Sequence, residues 1–197
     1  MKVFNIIKTL NISVSILIAV LACFILVMPS MPEIVFALNK NQYEGYAFNS
    51  VKTSEVLGEK AMLLPEISKD NVLVIPKIYV NAIINEGVDE STLNLGMWRR
   101  PNTSMPDLGG NTVIAAHRFL HTVGSNTFYF LDKMTTDDVI LVYWKGVEYV
   151  YKVYEVSEAM PEQIEIEYNT KDPILTLYTC EPLWTSDKRL VVKAKLQ

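Results

Sequence analysis

The sequence predicts an all-β barrel domain that follows one N-terminal membrane helix. An almost unbroken apolar run extends from Ile12 to Met28 and contains no charged residue. From Val72 onward, about six to eight short segments rich in β-branched and aromatic residues alternate with turn residues. Few helical periods occur among these segments. A series of short strands of this kind favours a sheet that closes into a barrel.

The composition is that of a membrane segment joined to a single domain. The chain has 197 residues, 50% of them hydrophobic, and a mean hydropathy of +0.18, which is high for a soluble domain. Lys2 and Lys8 are the only charges up to Met28, so the rest of the chain carries 16 basic and 22 acidic residues, a net charge of −6. This balance argues against nucleic-acid binding, which needs a basic patch to neutralise phosphates.

The apolar run has close to the roughly 20 residues that a helix needs to cross a bilayer. Lys2 and Lys8 precede it, so the positive-inside rule predicts a single-pass protein with its N-terminus in the cytoplasm and the remainder outside the cell. A cleaved secretory signal is the alternative, with Val35-Phe36-Ala37 as a small-residue cleavage site. The run exceeds the usual h-region of about 7–15 residues, which favours an uncleaved anchor over residues 1–28.

Residues 29–71 are predicted to form a juxtamembrane stalk. Pro29 and Pro32 are expected to end the membrane helix, since proline lacks the backbone N–H that a helix interior requires. Within the stalk, a short helix is predicted over Ser54–Leu64, with Ser54 as its N-cap.

The barrel domain is predicted over residues 72–197. Pro76 should interrupt its first strands, because proline cannot donate to a sheet ladder. Short helical segments are expected over Asp89–Leu95 and Phe128–Leu131, the latter plugging one end of the barrel. Lys145-Gly146 predicts a hairpin turn. The predicted strands lie within 72–75, 77–80, 82–84, 111–117, 139–144, 147–156, 174–180 and 189–196.

The chain has two cysteines, and only Cys180 lies in the barrel domain. Cys23 belongs to the apolar run, so the two are not expected to meet, and an exported protein with one remaining cysteine has a free thiol. Cys180 ends a predicted strand, which Pro182 stops, and Arg189 begins the next strand. A guanidinium near a thiol favours the thiolate and can stabilise an oxyanion.

His117 supplies a third chemical group at the end of another predicted strand. The small residues Ala115 and Ala116 precede it and allow neighbouring strands to approach closely. Acyl transfer at a thiol needs a deprotonated sulfur, a group that protonates the leaving amine, and a donor for the oxyanion. Cys180, His117 and Arg189 are the predicted catalytic residues for these three roles, in that order.

The run Thr176-Leu177-Tyr178-Thr179-Cys180, followed nine residues later by Arg189 and preceded by His117, resembles the signature of sortases. These are the membrane-anchored cysteine transpeptidases of Gram-positive surfaces. The resemblance covers Val72 to the C-terminus and implies a closed or nearly closed eight-stranded β-barrel with short helices.

The resemblance also implies a reaction, namely cleavage of a Thr–Gly bond in an LPxTG-like sorting signal of an exported protein. The acyl group would pass through a thioester to an amine of a peptidoglycan precursor or a pilin lysine. The expected partners are therefore the sorting-signal peptide, the amine acceptor and the membrane. No cofactor and no metal is expected.

Three further residues near the cysteine are candidates for substrate binding. The Thr179 hydroxyl is a candidate for positioning the peptide or the oxyanion, and the backbone N–H of Glu181 is a candidate second oxyanion donor. Trp184 is either a gate over the substrate groove or a packed aromatic residue.

Several alternatives stay open at this point. The enzyme could be a cysteine hydrolase that releases its thioester to water, or the barrel could be a peptide-binding scaffold with an idle cysteine. An L,D-transpeptidase is disfavoured because Thr179, and not glycine, precedes Cys180. No second hydrophobic span after Val192 and no Asp-Pro-aromatic lid in the stalk is apparent, which weighs toward a housekeeping or single-substrate enzyme.

Two groups of side chains have features of metal sites, but each has a simpler interpretation. His117 and His121 are four residues apart, a spacing that binds zinc on a helix, but a strand is predicted before His117 and a third ligand is missing. A cluster of acids could bind calcium, although a solvated acidic loop is the simpler interpretation. The acids are Glu158, Glu162, Glu165, Glu167 and Asp172.

Overall fold

The structure is a computed structural model that describes residues 2–43, 71–119, 126–182 and 185–197. The chain forms two compact units, Met1–Gln42 and Tyr43–Gln197. Three predicted features lie outside the described residues: the helix over Ser54–Leu64, His121 and Trp184.

The N-terminal unit is helical. Helix α1 covers Lys2–Val27, a 3-10 turn covers Met28–Ser30, and helix α2 covers Met31–Tyr43. The stretch Leu10–Leu38 is long and apolar enough to cross a membrane, and an 18-residue window within it has a mean hydropathy of 2.8.

Helix α2 was not predicted from the sequence. The first helix ends at Val27, as the prolines suggested, but Pro29 and Pro32 each occupy one of the first positions of a new helical segment. The missing proline N–H costs nothing there, because the first N–H groups of a helix have no intrahelical partner. The prolines therefore separate two helices and do not end helical structure.

The second unit is a closed barrel of eight strands, which confirms the predicted fold class. Around the barrel the strands follow the order β1-β2-β3-β4-β7-β8-β6-β5. In chain order they are β1 Val72–Ile75, β2 Val80–Glu86, β3 Met97–Arg99, β4 Asn111–Ala115, β5 Val139–Trp144, β6 Val147–Ala159, β7 Ile174–Glu181 and β8 Lys188–Leu196.

Two of the strand pairs are parallel, β2 with β3 and β4 with β7, and the other pairs are antiparallel. Parallel neighbours need a long crossover connection. Between β4 and β7 the hairpin of β5 and β6 supplies it. This crossover brings the middle of the sequence next to its C-terminal end.

The barrel interior is filled by large side chains. All five residues of β4 are buried, and so are the first four of β7, which explains why these strands appear as continuous apolar and threonine-rich runs in the sequence. The largest fully buried side chains include Trp98, Trp144, Tyr151, Phe128, Leu73, Ile75, Met97 and Ile114.

Local turn chemistry agrees with the sequence in two places. The Asp89 side chain accepts a hydrogen bond from the Ser91 N–H at 2.9 Å and begins a 3-10 helix over Glu90–Leu95. Lys145 and Gly146 have φ of 51° and 78°, so both turn residues of the β5–β6 hairpin are left-handed.

Two details of the strand prediction were wrong. Pro76 starts a 3-10 turn over Pro76–Ile78, and a single strand then runs through Val80–Glu86. Strand β3 was not predicted because three residues are too few to show an alternation. The helical turn expected over Phe128–Leu131 is present, since the Leu131 N–H donates to the Phe128 carbonyl at 3.1 Å, and it leads into a 3-10 helix over Leu131–Lys133.

Candidate active site

Strands β4, β7 and β8 lie side by side, and their ends bring the three predicted catalytic residues together. Cys180 on β7 is the direct antiparallel partner of Arg189 on β8. Directly paired residues of neighbouring strands project from the same face of the sheet. Arg189 and Cys180 are therefore nearest neighbours on two adjacent strands.

His117 follows the end of β4 by two residues. The parallel register of β4 and β7 pairs Ala115 with Tyr178, and the Ala116 N–H still donates to the Tyr178 carbonyl at 3.4 Å. Continued by two residues, this register brings His117 to the level of Cys180.

The three residues are half-buried, and each directly adjoins a buried residue, namely Ala116, Thr179 or Leu190. Ala115, Ala116 and Thr179 form part of the barrel interior. Successive side chains of a strand point to opposite faces, so the end of β7 buries Leu177 and Thr179 while Tyr178 and Cys180 are half-buried. Solvent-borne reagents can reach this end of the sheet, as a reacting thiol requires.

The candidate substrate residues near Cys180 have defined partners where the structure describes them. Thr179 is 2% exposed. Its hydroxyl donates to the Ala116 carbonyl at 2.8 Å and so links β7 to the residue that follows β4. The Glu181 carboxylate is ion-paired with Arg118. Contact of either residue, or of Trp184, with a substrate stays a prediction.

The Arg189 side chain is held near the end of its own strand. One guanidinium nitrogen, Nη1, donates to the Ser186 carbonyl at 3.3 Å and to the Lys188 carbonyl at 3.1 Å. Its charge also reaches the phenol of Tyr178, whose ionised form it favours. Because Arg189 is the direct cross-strand partner of Cys180, its side chain projects from the same face of the sheet as the thiol.

Tyr178 belongs to a polar network that sequence reasoning missed. Its hydroxyl donates to Glu167 Oε1 at 2.6 Å, and Arg100 Nε donates to the same oxygen at 2.8 Å. Burial and the Glu167 carboxylate raise the pKa of Tyr178, while Arg100 and Arg189 act in the opposite direction. The available signal was the position of Tyr178 on the same strand face as Cys180.

A groove of 490 Å³ opens beside this network, between the β3–β4 and β6–β7 connections. Both polar and apolar side chains line it, and Glu167 links it to β7 through Tyr178. The lining residues are Arg100, Pro101, Asn102, Thr103, Ile164, Glu167, Tyr168 and Asn169.

Among the described residues, no group of three or more His, Cys, Asp or Glu side chains is arranged to hold a metal ion. Two of the acids considered for calcium have basic partners, since Glu158 pairs with Lys188 and Glu167 with Arg100. The expectation that no cofactor is needed stays a prediction.

The chain matches the family model of the sortase domain over residues 73–197. Sortase A of Streptococcus agalactiae is 26% identical over 168 residues, which are 81% of this chain and 66% of that protein. Sortase SrtE2 of Streptomyces coelicolor is 32% identical over 145 residues, 68% of this chain and 53% of that protein. The chain thus spans about half to two thirds of the length of these relatives.

Solved structures agree with the family match. Sortase C1 of Streptococcus agalactiae superposes with a TM-score of 0.58 and 30% identity over 64% of this chain and 66% of that chain. Sortase C of Streptococcus pneumoniae, for which pilin substrate specificity is described, has a TM-score of 0.59 and 29% identity over 64% of this chain and 65% of that chain. The sequence match, the closed eight-stranded barrel and these superpositions agree, and the chain belongs to the sortase family.

Proposed function

We propose that this sortase is a cysteine transpeptidase that cleaves an LPxTG-like sorting signal and transfers the acyl fragment to an amine. The observation that carries the proposal is the direct cross-strand pairing of Cys180 with Arg189, at the strand end where His117 leaves β4. A thiol, a fixed cation and an imidazole at one exposed strand end are the groups that acyl transfer needs.

In the first half-reaction the Cys180 thiolate attacks the carbonyl carbon of the scissile Thr–Gly bond. The carbonyl electron pair moves to oxygen, and the Arg189 guanidinium and a backbone N–H at Glu181 stabilise the oxyanion. Collapse of this intermediate breaks the C–N bond. His117, in its protonated form, delivers a proton to the leaving amine, and a thioester to Cys180 remains.

In the second half-reaction a primary amine attacks the thioester carbonyl. His117, now neutral, accepts the proton that the amine loses, and Arg189 again stabilises the oxyanion. The C–S bond breaks, the thiolate is restored, and a new amide forms. Attack by water in place of the amine would give hydrolysis.

The acceptor is an amine of a peptidoglycan precursor or a lysine of a pilin subunit. Pilin specificity is described for the similar pneumococcal sortase C. We place the catalytic barrel at the outer face of the cell membrane, with helix α1 as a single-pass anchor and the N-terminus inside. Lys2 and Lys8 before the apolar run support that orientation.

The test is incubation of the full-length chain, in detergent, with an LPxTG-type peptide, with and without triglycine. Mass spectrometry then distinguishes the transferred product from the hydrolysed one. We expect the amide product to dominate when amine is present and Cys180→Ala to give no product. Hydrolysis alone in saturating amine would identify a cysteine hydrolase, and turnover by Cys180→Ala would refute a thioester.

A further inference from the structure

The residues that directly follow His117 and Cys180 form an ion pair with each other. Arg118 Nη1 donates to Glu181 Oε2, and the Arg118 side chain is 10% exposed while that of Glu181 is 23% exposed. Ion pairs with this degree of burial are screened little by solvent. The pair joins the end of β7 to the segment that leaves β4.

The other donors of the Arg118 guanidinium are also engaged. Nε donates to the Tyr129 carbonyl at 2.9 Å, and Nη2 lies 3.0 Å from Asp132 Oδ1. Guanidinium is planar with donors in a rigid fork, so three acceptors in different directions fix its orientation. Arg118 thus connects three parts of the chain: the end of β7, the segment that contains Tyr129 and Asp132, and the segment after β4 to which Arg118 itself belongs.

The backbone of His117 is held from the same segment. The Phe128 N–H donates to the His117 carbonyl at 2.9 Å. Strand β4 ends at Ala115, and its last backbone-to-backbone bond to β7, from the Ala116 N–H, is long at 3.4 Å. At the level of His117 the sheet ladder gives way to side-chain contacts, and the Arg118–Glu181 ion pair crosses between the two strands at this point.

We propose that the Arg118–Glu181 ion pair is a positioning device that sets the separation of the His117 imidazole and the Cys180 sulfur. This inference rests on the proposed function, because it assigns the two residues to one proton-transfer pair. In the proposed mechanism neither the Arg118 side chain nor the Glu181 carboxylate contacts the reacting atoms; only the backbone N–H of Glu181 is assigned to the oxyanion. The pair acts through the backbone of the adjacent residues, and it gives Glu181 a task other than contact with substrate.

The expected kinetic effect is on kcat. A displacement of about 1 Å between reacting groups can cost about 100-fold in rate. We expect Glu181→Ala to lower kcat for transpeptidation by about 10- to 100-fold while KM changes less than about twofold. Glu181→Gln should recover part of the loss, because the amide oxygen still accepts from the guanidinium. Arg118→Lys should resemble Glu181→Ala, since an ammonium cannot replace the fork.

A double-mutant cycle separates the pair from its surroundings. If the two residues act as one unit, the loss in Glu181→Ala/Arg118→Ala will be well below the product of the two single losses. The control is Glu86→Ala, which removes the ion-pair partner of Arg99, another largely buried arginine. Glu86 lies on β2, which β3 and β4 separate from β7. We expect kcat of the control to stay within about twofold of the wild type.

The second readout needs no peptide. Iodoacetamide is added to the full-length chain in detergent, and alkylation of Cys180 is followed by mass spectrometry of the peptide that contains it. Because a nearby imidazole activates the thiol, Glu181→Ala should alkylate more slowly than wild type, and Glu86→Ala at the wild-type rate. Thermal unfolding of each variant shows whether it is folded, and the Glu181 variants suffice if Arg118→Ala does not fold.

Several outcomes would overturn the inference. A Glu181→Ala variant with raised KM and unchanged kcat would assign Glu181 to substrate binding. Fully multiplicative losses in the cycle would show that the two residues act independently. If the wild type turns over no peptide but Glu181→Ala still alkylates more slowly than wild type and Glu86→Ala, the proposed substrate is wrong and the positioning role of the ion pair is supported. Unchanged alkylation in Glu181→Ala, with normal turnover, rejects the pair and retains the transpeptidase.

Discussion

Arg189 combines a fixed charge with a position that the sheet determines. Its cross-strand pairing with Cys180 does not depend on the conformation of the loop between the two strands, because the ladder of β7 and β8 continues to Glu181 and Lys188. Arginine stays protonated at any working pH. A donor placed in this way needs little reorganisation when an oxyanion forms.

Arg189→Lys is expected to lower kcat by about 100- to 1000-fold, the effect typical of losing one oxyanion donor. Lysine retains the charge but offers a single rotatable ammonium in place of the fork. Steady-state transpeptidation by the full-length chain measures this. Lys195→Gln, an exposed change on the same strand, serves as the control and should have wild-type kinetics. Comparable rates in Arg189→Lys and wild type would remove Arg189 from the mechanism.

Tyr178 gives a residue-scale prediction about pH. Burial and Glu167 raise its pKa above the ordinary value near 10, so the folded chain keeps a proton that the unfolded chain releases. The stabilisation is complete below about pH 10 and is lost as pH rises beyond it. Tyr143 shows the same direction of shift, and burial raises the pKa of Tyr151 to about 12.

We therefore expect the free energy of unfolding to fall between pH 10 and 12, and to fall less steeply in Tyr178→Phe. One fully protected tyrosine contributes up to about 1.4 kcal/mol per pH unit. Urea unfolding followed by tryptophan fluorescence at several pH values measures the slope. The lysines, which also titrate in this pH range, are the same in both proteins, so their contribution cancels when the slope of the variant is subtracted from that of the wild type. Equal slopes in the two proteins would show that Tyr178 is not protected.

At the scale of elements, the β6–β7 connection is held to the start of β4 by one buried amide. Asn111 Nδ2 donates to the Ile166 and Tyr168 carbonyls at 3.0 Å each, and its Oδ1 accepts from Thr176 at 2.8 Å. Gly110 has φ +75°, and a Cβ there would lie 2.1 Å from Asn169 Oδ1. The loop that lines the groove is thus fixed at its base.

Asn111→Ala should lower the free energy of unfolding by about 2–4 kcal/mol, because three hydrogen bonds of about 0.5–1.5 kcal/mol each are lost in a buried site. Asn85→Ala is the matched control. The Asn85 amide also makes three hydrogen bonds, all to carbonyls, but they are longer, at 3.1–3.4 Å, and the side chain is only half-buried, so a loss below about 1 kcal/mol is expected. Urea unfolding measures both. Similar losses in the two variants would contradict a special role for Asn111.

At the scale of the whole molecule, the proposed topology makes a prediction about the two cysteines. Cys180 is half-buried in the barrel, and Cys23 lies in the apolar helix. A membrane-impermeant maleimide applied to intact cells should label Cys180 and leave Cys23 unlabelled, as read by mass spectrometry. Cys180→Ala is the control for background. Labelling of Cys180 that appears only after lysis would place the barrel inside the cell.

Much of the fold was accessible from sequence patterns. The β5–β6 hairpin was predicted at its turn because Lys145-Gly146 separates two β-rich runs. Strand β3 and helix α2 were missed, since three residues carry no period and prolines at helix starts resemble prolines at helix ends. Of the candidate site, Cys180, His117 and Arg189 were named from type and spacing, and their roles stay predictions.

Local sequence patterns were enough to predict an apolar helix before a β-rich domain and to name the thiol, imidazole and guanidinium that are available for chemistry. These features follow from composition and period over a few residues. The contact of β4 with β7, the ion pair of Arg118 with Glu181 and the hydrogen bond of Tyr178 to Glu167 became visible in the folded barrel alone. Arg118 and Glu181 are separated by 63 positions. Such contacts depend on barrel closure and register, which no local pattern encodes.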